Sequence, residues 1–576
     1  MRVYQGIPVS PGVAIGPASI LRTEDSLPPR RTIPAAQIEA EIQRYRAATS
    51  AAQAELGHTT DQADLPHAVR SIAASHREFL NDPTLLGEIE ETIRNGRTTA
   101  EWAVAVVFHK WIERFRALKD EFFRQRHVDL IDLRRRVLRR LYLPEPGEEP
   151  SEERPAILVT KDLTPSAVAE LKRKGILGLA SEYGGATSHS AIVAKSLGIP
   201  AVFGLGHAVS EIDPGARVVL DGEQGILVAH PDGATLHRYK ELQGRLARRT
   251  RILHRISQLP AETPDGWPVT VMGNIEFPFE VVEAVSNGAD GIGLYRTEFL
   301  YAGRTTPPAE EDHLEAYREA LAHLRGRPLT IRTFDFGADK FAAELGMPAE
   351  ANPFLGCRSI RYSFARPDLF RTQLRAILRA SAEGRIDLLL PMISSVTELR
   401  RACALLDQVK QELHAERIPF NPELRTGVMM EIPAAAVGAD LLAREVDFFS
   451  IGTNDLTQYT LAVDRTNERV AALFRPGNPA ILRLLQQIVR EGERHKISVS
   501  MCGEMAAETS YALLLLGLGI RQFSVAPALV PQVKRVARGV ARRTAAAIAR
   551  EALLLSTPED VDAYLAEQTS RVLGEV

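Results

Sequence analysis

The run Phe448-Phe449-Ser450-Ile451-Gly452-Thr453-Asn454-Asp455 is a short apolar stretch that stops on an amide and a carboxylate. Four other runs end in the same way. Asp290-Gly291-Ile292-Gly293-Leu294-Tyr295 stops on Arg296, Leu329-Thr330-Ile331 on Arg332, Thr426-Gly427-Val428-Met429-Met430 on Glu431, and Ile497-Ser498-Val499-Ser500-Met501 on Cys502. Short apolar runs that alternate with helical stretches read as buried parallel strands. From residue 262 onward there are about eight such units over ~300 residues, the count of a (β/α)8 barrel, which builds its site from side chains at the C-terminal ends of its strands. One polar strand end is unremarkable. Five, carrying Arg, Arg, Glu, Asn-Asp and Cys, predict a reactive barrel mouth.

The residue types agree in their chemistry. Glu431 and Asp455 supply hard oxygen ligands, suited to Mg²⁺ or Mn²⁺ rather than zinc. Arg296, Arg332 and Arg465 offer fork-shaped donors for phosphate and carboxylate oxygens. A divalent ion and guanidinium groups together neutralise charge on a transferred phosphoryl group.

The first half of the chain is organised differently. Residues 1–22 hold alternating apolar residues broken by Pro and Gly and read as short strands. From about Pro34 to Leu143 the spacing turns helical, most clearly over Glu101–Phe115 and Val128–Leu141. Strand signals return at Ala156–Thr160, Gly178–Ala180 and Arg217–Gly222. A helical bundle therefore interrupts a small α/β domain after its first strands. Residues 231–260 carry Arg245, Arg248, Arg249, Arg251 and Arg255 without interleaved aromatics, which favours a solvated linker helix over a nucleic-acid patch.

Composition sets the outer bounds. A chain of 576 residues exceeds a single core and implies two to four domains. A formal net charge of -3 gives no general drive toward nucleic acid or membrane surfaces. No apolar run reaches membrane-spanning length, and the first residues lack the apolar core of a signal peptide. Cys357, Cys403 and Cys502 are odd in number and far apart, as expected of a cytoplasmic protein without disulfides.

Between the returning strands lies Gly184-Gly185-Ala186-Thr187-Ser188-His189-Ser190-Ala191-Ile192-Val193-Ala194-Lys195-Ser196-Leu197-Gly198-Ile199-Pro200. It reads as a glycine turn and then a short helix, with Thr187 or Ser188 as N-cap and Gly198 at C′. His189 falls in the first turn. The helix dipole there disfavours imidazolium and keeps a nitrogen lone pair available, and free backbone N–H groups can hold phosphoryl oxygens.

This segment resembles the phosphohistidine motif of the phosphoenolpyruvate-utilising enzymes. The resemblance extends through Arg332-Thr333-Phe334-Asp335, Asn352-Pro353-Phe354-Leu355-Gly356, Leu390–Val396, Glu431-Ile432-Pro433-Ala434-Ala435 and Gly452–Tyr459. The order of parts is similar to the enzyme I group of that family. The resemblance implies a multidomain α/β protein. Its parts would be a swivelling phosphohistidine α/β domain (1–22 and 144–230), an inserted helical carrier-binding subdomain (23–143), a linker helix (231–261) and a phosphoenolpyruvate-binding (β/α)8 TIM-type barrel (262–576). It further implies phosphorylation of His189, phosphoenolpyruvate binding by Arg296, Arg332, Arg358, Asn454 and Arg465, Mg²⁺ or Mn²⁺ held by Glu431 and Asp455, and proton donation by Cys502. The implied partners are a small HPr-like histidine phosphocarrier and a second copy of the chain joined through the barrel. The implied role is the first step of phosphotransferase-system sugar uptake, with a non-sugar regulatory branch or a small-molecule acceptor as alternatives. The chain departs from the family pattern at Ala186, Ala338 and Cys357, and its helical insertion carries charges of both signs where an acidic docking face is usual.

Overall fold

The computed structural model describes residues 1–21, 30–61, 77, 79–116, 127–142, 155–161, 175–184, 191, 194, 198–301, 306–336, 352–467 and 469–574. These divide into two compact units, Met1–Arg248 and Arg249–Val576.

The first unit is built on an eight-stranded mixed sheet. Its strands are β1 (Arg2–Gln5), β2 (Ile7–Ser10), β3 (Val13–Leu21), β4 (Ile157–Thr160), β5 (Gly178–Ser181), β6 (Ala201–Phe203), β7 (Arg217–Asp221) and β8 (Ile226–Ala229), in the order β1-β8-β7-β3-β4-β5-β6-β2. The centre, β3-β4-β5-β6, is parallel, and the flanks are antiparallel. β6 and β8 had no separate sequence signal: β6 is three residues long, too short to show an alternation. Between β3 and β4 lie α1 (Ile38–Asp61), α2 (Pro83–Gly96), α3 (Ala100–Arg116) and α4 (His127–Tyr142). They share an apolar core of their own that includes Ile42, Tyr45, Leu56, Ile93, Phe108 and Leu133, separate from the clusters beneath the sheet. Asp82 caps α2 by accepting the N–H groups of Thr84 and Leu85, beside a proline at the first helical position.

After β8 comes α5 (Gly233–Ser257), the arginine-rich helix expected from the sequence. Leu236, Tyr239, Leu242 and Leu246 recur at helical spacing and pack on Val13, Val219 and Val228 of the sheet. Arg238, Lys240, Arg245, Arg248, Arg251 and Arg255 are exposed on the rest of its surface, as expected of an amphipathic surface helix.

The second unit is a closed parallel barrel of eight strands. The strands are β9 (Thr270–Ile275), β10 (Ile292–Tyr295), β11 (Leu329–Arg332), β12 (Ile386–Leu390), β13 (Arg425–Met430), β14 (Phe448–Ile451), β15 (Ser498–Met501) and β16 (Gln522–Val525). Alternate residues face opposite ways: Val428 and Met430 join the large cluster under the outer helices, while Met429 joins a small one with Leu294, Leu389, Phe448 and Cys502. Two outer helices bear on the argument below: α6 (Thr453–Leu461) and α7 (Thr509–Leu518).

Read from sequence alone, the apolar run Leu513–Leu518 fits either barrel core or an interface, with core the default. It lies in α7, where Leu513, Leu514 and Leu515 are fully buried in the barrel's core cluster. Truncating such a side chain removes transfer energy and leaves a void, at about 2–5 kcal/mol. Leu514→Ala is therefore expected to lower the urea midpoint of the barrel, followed by far-UV circular dichroism, with the slope of the transition unchanged.

Candidate active site at the barrel mouth

Each expected strand-end residue stands where its strand stops. Arg296 follows β10, Arg332 ends β11, Glu431 follows β13, and Cys502 follows β15. Asn454 and Asp455 lie in the first turn of α6, which starts two residues after β14. That start is permitted by two close approaches. A side chain on Gly452 would press on Glu431 and Met429, and one on Gly503 would collide with Thr453. Glycine at 452 lets β14 turn into α6, and glycine at 503 lets the chain leaving β15 pass close to the start of α6.

A buried ionic network organises the site. Asp335 bridges two guanidinium groups: Oδ2 pairs with Nη1 of Arg332 at 3.1 Å, and Oδ1 with Nη2 of Arg358 at 3.1 Å. Both arginines are 8% exposed. Glu298 adds a second clamp, its Oε1 accepting from Arg332 Nη2 at 3.0 Å and from the Asp335 backbone N–H at 2.7 Å. Arg358 also donates through Nη1 to the Tyr459 hydroxyl at 3.1 Å, and its Nη2 stands 3.8 Å from Asp455 Oδ2. Burial alone would lower the pKa of Arg332, but Glu298 and Asp335 more than offset it and the net shift is upward. The same competition lowers Asp335: burial opposes ionisation, and Arg332 and Arg358 overcome it. Both arginines stay charged.

Glu431 is the least comfortable charge in the network. It is 1% exposed, and burial, then the neighbouring Asp455 and Asp335, hold its carboxyl well above the usual range. Its Oε1 accepts the backbone N–H of Met392 at 2.6 Å. Met392 presents that N–H from a left-handed conformation, φ 56°, and Ser359, next to Arg358, has φ 54°. Left-handed backbone at non-glycine residues costs on the order of 1–3 kcal/mol and persists where the surroundings impose it.

Counted as ionised groups, Arg332 and Arg358 face Asp335, Glu298, Glu431 and Asp455, a formal excess of two negative charges. Among the described residues no group of three or more His, Cys, Asp or Glu is arranged to enclose a metal ion. Two hard carboxylates that repel each other, in a site with surplus negative charge, nevertheless fit Mg²⁺ well. That ion is commonly held by one or two carboxylates, with water and substrate phosphate completing its shell.

Cys502 is 4% exposed and unpaired with any other cysteine. The Ser450 hydroxyl donates to its Sγ at 3.3 Å, and Sγ lies 3.4 Å from the Ile451 carbonyl. Asn274 donates to the Cys502 carbonyl at 3.0 Å and is itself held by the Ser524 hydroxyl at 2.6 Å. Burial pushes the thiol pKa up, against the opposing hydrogen bond from Ser450.

The remaining expected residues fall in three groups. Arg296 reaches the mouth and is paired with Glu276 at 2.8 Å, half exposed, so an arriving anion can compete for it. Asn454 accepts from the Glu504 N–H at 3.4 Å. Arg465 lies on the exposed loop after α6, with its backbone N–H on Gln458 at 3.2 Å, and its guanidinium is not joined to the cluster. His189, Ala186, Thr187 and Ser188 lie outside the described residues, as does Ala338. At the far end of the same segment Gly198 has φ 65°, and the Ile199 N–H donates to the Ala194 carbonyl at 3.1 Å, the closing bond expected of a C′ glycine. Cys357 packs partly buried against the barrel core.

The raised thiol pKa has a direct test. Site-specific alkylation of Cys502 by iodoacetamide, followed by peptide mass spectrometry, is expected to lag that of a free cysteine at pH 8. It should go on accelerating above the pH at which the free thiol has levelled off.

Family models of the phosphoenolpyruvate-utilising enzymes match the chain in three places: the N-terminal part at residues 5–126, the mobile domain at 152–225 and the phosphoenolpyruvate-binding domain at 251–542. The phosphoenolpyruvate-protein phosphotransferase of Geobacillus stearothermophilus is 40% identical over 566 residues, covering 98% of each chain. That of Listeria innocua is 39% identical over 562 residues, covering 97% of each. An NMR solution structure of an enzyme I protein is 31% identical, covers 42% of this chain and 99% of its own, and superposes with a TM-score of 0.34. With relatives this similar along nearly its whole length, the chain belongs to the phosphoenolpyruvate-utilising enzyme family, among the phosphoenolpyruvate-protein phosphotransferases.

Proposed function

We propose that the protein moves the phosphoryl group of phosphoenolpyruvate onto His189 and then onto a histidine of a small HPr-like phosphocarrier, releasing pyruvate. This would be the entry step of phosphotransferase-system sugar uptake. The observation that carries the reading is the meeting of Arg332, Glu431, Asp455 and Cys502, at or just after the ends of β11, β13, β14 and β15, with Arg358 from the segment between β11 and β12.

Roles follow from the chemistry of each group. Arg332 and Arg358 are buried, charged and pre-positioned by Asp335, so they bind the phosphate and carboxylate oxygens with little reorganisation. Arg296 leaves Glu276 to join them, and Asn454 and Arg465 complete the contacts. Glu431 and Asp455 would hold Mg²⁺ or Mn²⁺, which supplies charge neutralisation for the phosphoryl group when bound. A lone pair of the neutral His189 imidazole forms the N–P bond while the bridging P–O bond breaks and its electrons pass to the enolate. Cys502 then gives its Sγ proton to C3 of the enolate, and the thiolate recovers a proton from water. The raised thiol pKa suits a group that must arrive protonated at neutral pH.

His189 belongs to the first unit and the cluster to the second. The phosphohistidine domain therefore swivels between the barrel and the helical subdomain that receives the carrier, with α5 as the linker. We place the protein in the cytoplasm as a homodimer joined through the barrel. Its cysteines are unpaired, no helix among the described residues is long and apolar enough to cross a membrane, and Val437 and Leu441 are exposed on the barrel.

Incubation with ³²P-phosphoenolpyruvate and Mg²⁺ is expected to give an acid-labile, base-stable label. His189→Ala and chelation with EDTA should each abolish it. A label that survives His189→Ala refutes the nucleophile, and a label indifferent to EDTA refutes the metal. Cys502→Ser is expected to slow pyruvate formation by about 10²–10⁴-fold, the usual worth of a positioned general acid, measured by coupled lactate dehydrogenase.

A further inference from the structure

We infer that Met429 is a size filter for the substrate carbon that Cys502 protonates. This rests on the assignment of the barrel mouth to phosphoenolpyruvate and of Cys502 to proton donation. Five apolar or sulfur side chains pack together on the inner face of the barrel: Leu294, Leu389, Met429, Phe448 and Cys502. They form a cluster separate from the core under the outer helices. Leu294, Leu389 and Met429 each stand one residue before the last residue of their strands, β10, β12 and β13. They therefore lie in one layer just beneath the rim. Leu389 is paired in register with Arg332, and Met429 with Ser450, the residue whose hydroxyl donates to Cys502.

Met429 is joined to the charged part of the site as well. Its Sδ lies 3.9 Å from Nη1 of Arg332. A side chain on Gly452 would meet both Glu431 and the Met429 Cγ, so these two side chains converge on the same small space. A substrate whose anionic groups are held by Arg332 and Arg358, and whose C3 faces the Cys502 thiol, turns that carbon toward this apolar layer. The methylene of phosphoenolpyruvate is a small group, and all three layer residues are 2% exposed or less and packed on one another, so a larger group turned toward them would have to displace one of them. Methionine is also the one side chain of the layer with three rotatable bonds, and shortening it opens space without adding a polar group.

The test compares phosphoenolpyruvate with its Z C3-methyl analogue, 2-phosphoenolbutyrate, by kcat/KM for release of the 2-oxo acid. One added methyl group in a hydrophobic pocket changes discrimination by roughly 10- to 200-fold. The native chain is expected to prefer phosphoenolpyruvate. Met429→Ala should reduce that preference by about tenfold or more, Met429→Val should reduce it in part, and Met429→Leu should retain it. Because the readout is a ratio, it survives a general loss of activity, and the Val variant covers a failure of the Ala variant to fold. A preference unchanged in both Ala and Val variants overturns the inference, as does an equal drop in Met429→Leu. The underlying reading fails differently: the native chain would then release no pyruvate from phosphoenolpyruvate, or Cys502→Ser would release it at the native rate.

Discussion

The bridge from Asp335 to Arg332 and Arg358 is the constraint on which the barrel mouth depends. Two guanidinium groups at 8% exposure are costly to bury unless a partner holds them, and removing one partner from a buried pair typically costs about 3–5 kcal/mol. Asp335 meets both with one carboxylate, and Glu298 fixes the first arginine and the Asp335 backbone together. The result is a pair of cations whose direction is set before any ligand arrives. For the proposed phosphoenolpyruvate site, which would recognise a phosphate and a carboxylate on one small molecule, fixed direction matters more than charge alone, because oriented dipoles and ions need no reorganisation as the reaction proceeds.

The same network explains where the site tolerates strain. Met392 and Ser359 both adopt left-handed backbone, and each adjoins a charged member of the cluster: Met392 donates its N–H to Glu431, and Ser359 follows Arg358. Ser359 is held by its own N–H on the Phe336 carbonyl at 2.6 Å, just past Asp335. Glycines at 452 and 503 meet the opposite need, since any side chain there would close the space where β14, β15 and α6 converge. Strain and glycine thus mark the same few ångströms of the molecule.

Much of this was legible in the sequence. The barrel announced itself because buried parallel strands are continuous apolar runs, and their polar last residues have no reason to recur unless they share a mouth. The strands of the first unit were partly legible: β1 to β3 show alternation, whereas β6 has three residues and no room for a pattern. The gatherers of the site were harder to find. Asp335 lies three residues after Arg332 in a quoted motif, yet nothing in its spacing says that its carboxylate turns back to one arginine and across to another 23 positions away. Ser450 looked like an ordinary small residue in a strand, and Asn274 lies 228 positions from the cysteine it holds. Such partners are set by closure of the barrel, which brings β9 beside β16 and within reach of β15's end. Arg465 was named from its residue type and the resemblance; it stands on an exposed loop after α6, and no bond to the buried arginines fixes its direction in advance.

An acid buried at the floor of a charged site has to satisfy two demands that usually conflict. It must keep its proton in the presence of Arg332 and Arg296, which favour the thiolate, and it must sit where a carbon atom, a poor hydrogen-bond partner, can reach it. The apolar layer of Leu294, Leu389 and Met429 meets both. Burial against it raises the thiol pKa more than the Ser450 hydrogen bond and the two arginines lower it, and in the proposed reaction the same surface would receive the substrate methylene. Burial among hydrocarbon keeps the sulfur of Cys502 on the protonated side against the Ser450 hydrogen bond, with the Ile451 carbonyl 3.4 Å from Sγ, and the proposed size limit on the carbon would follow from the same apolar packing.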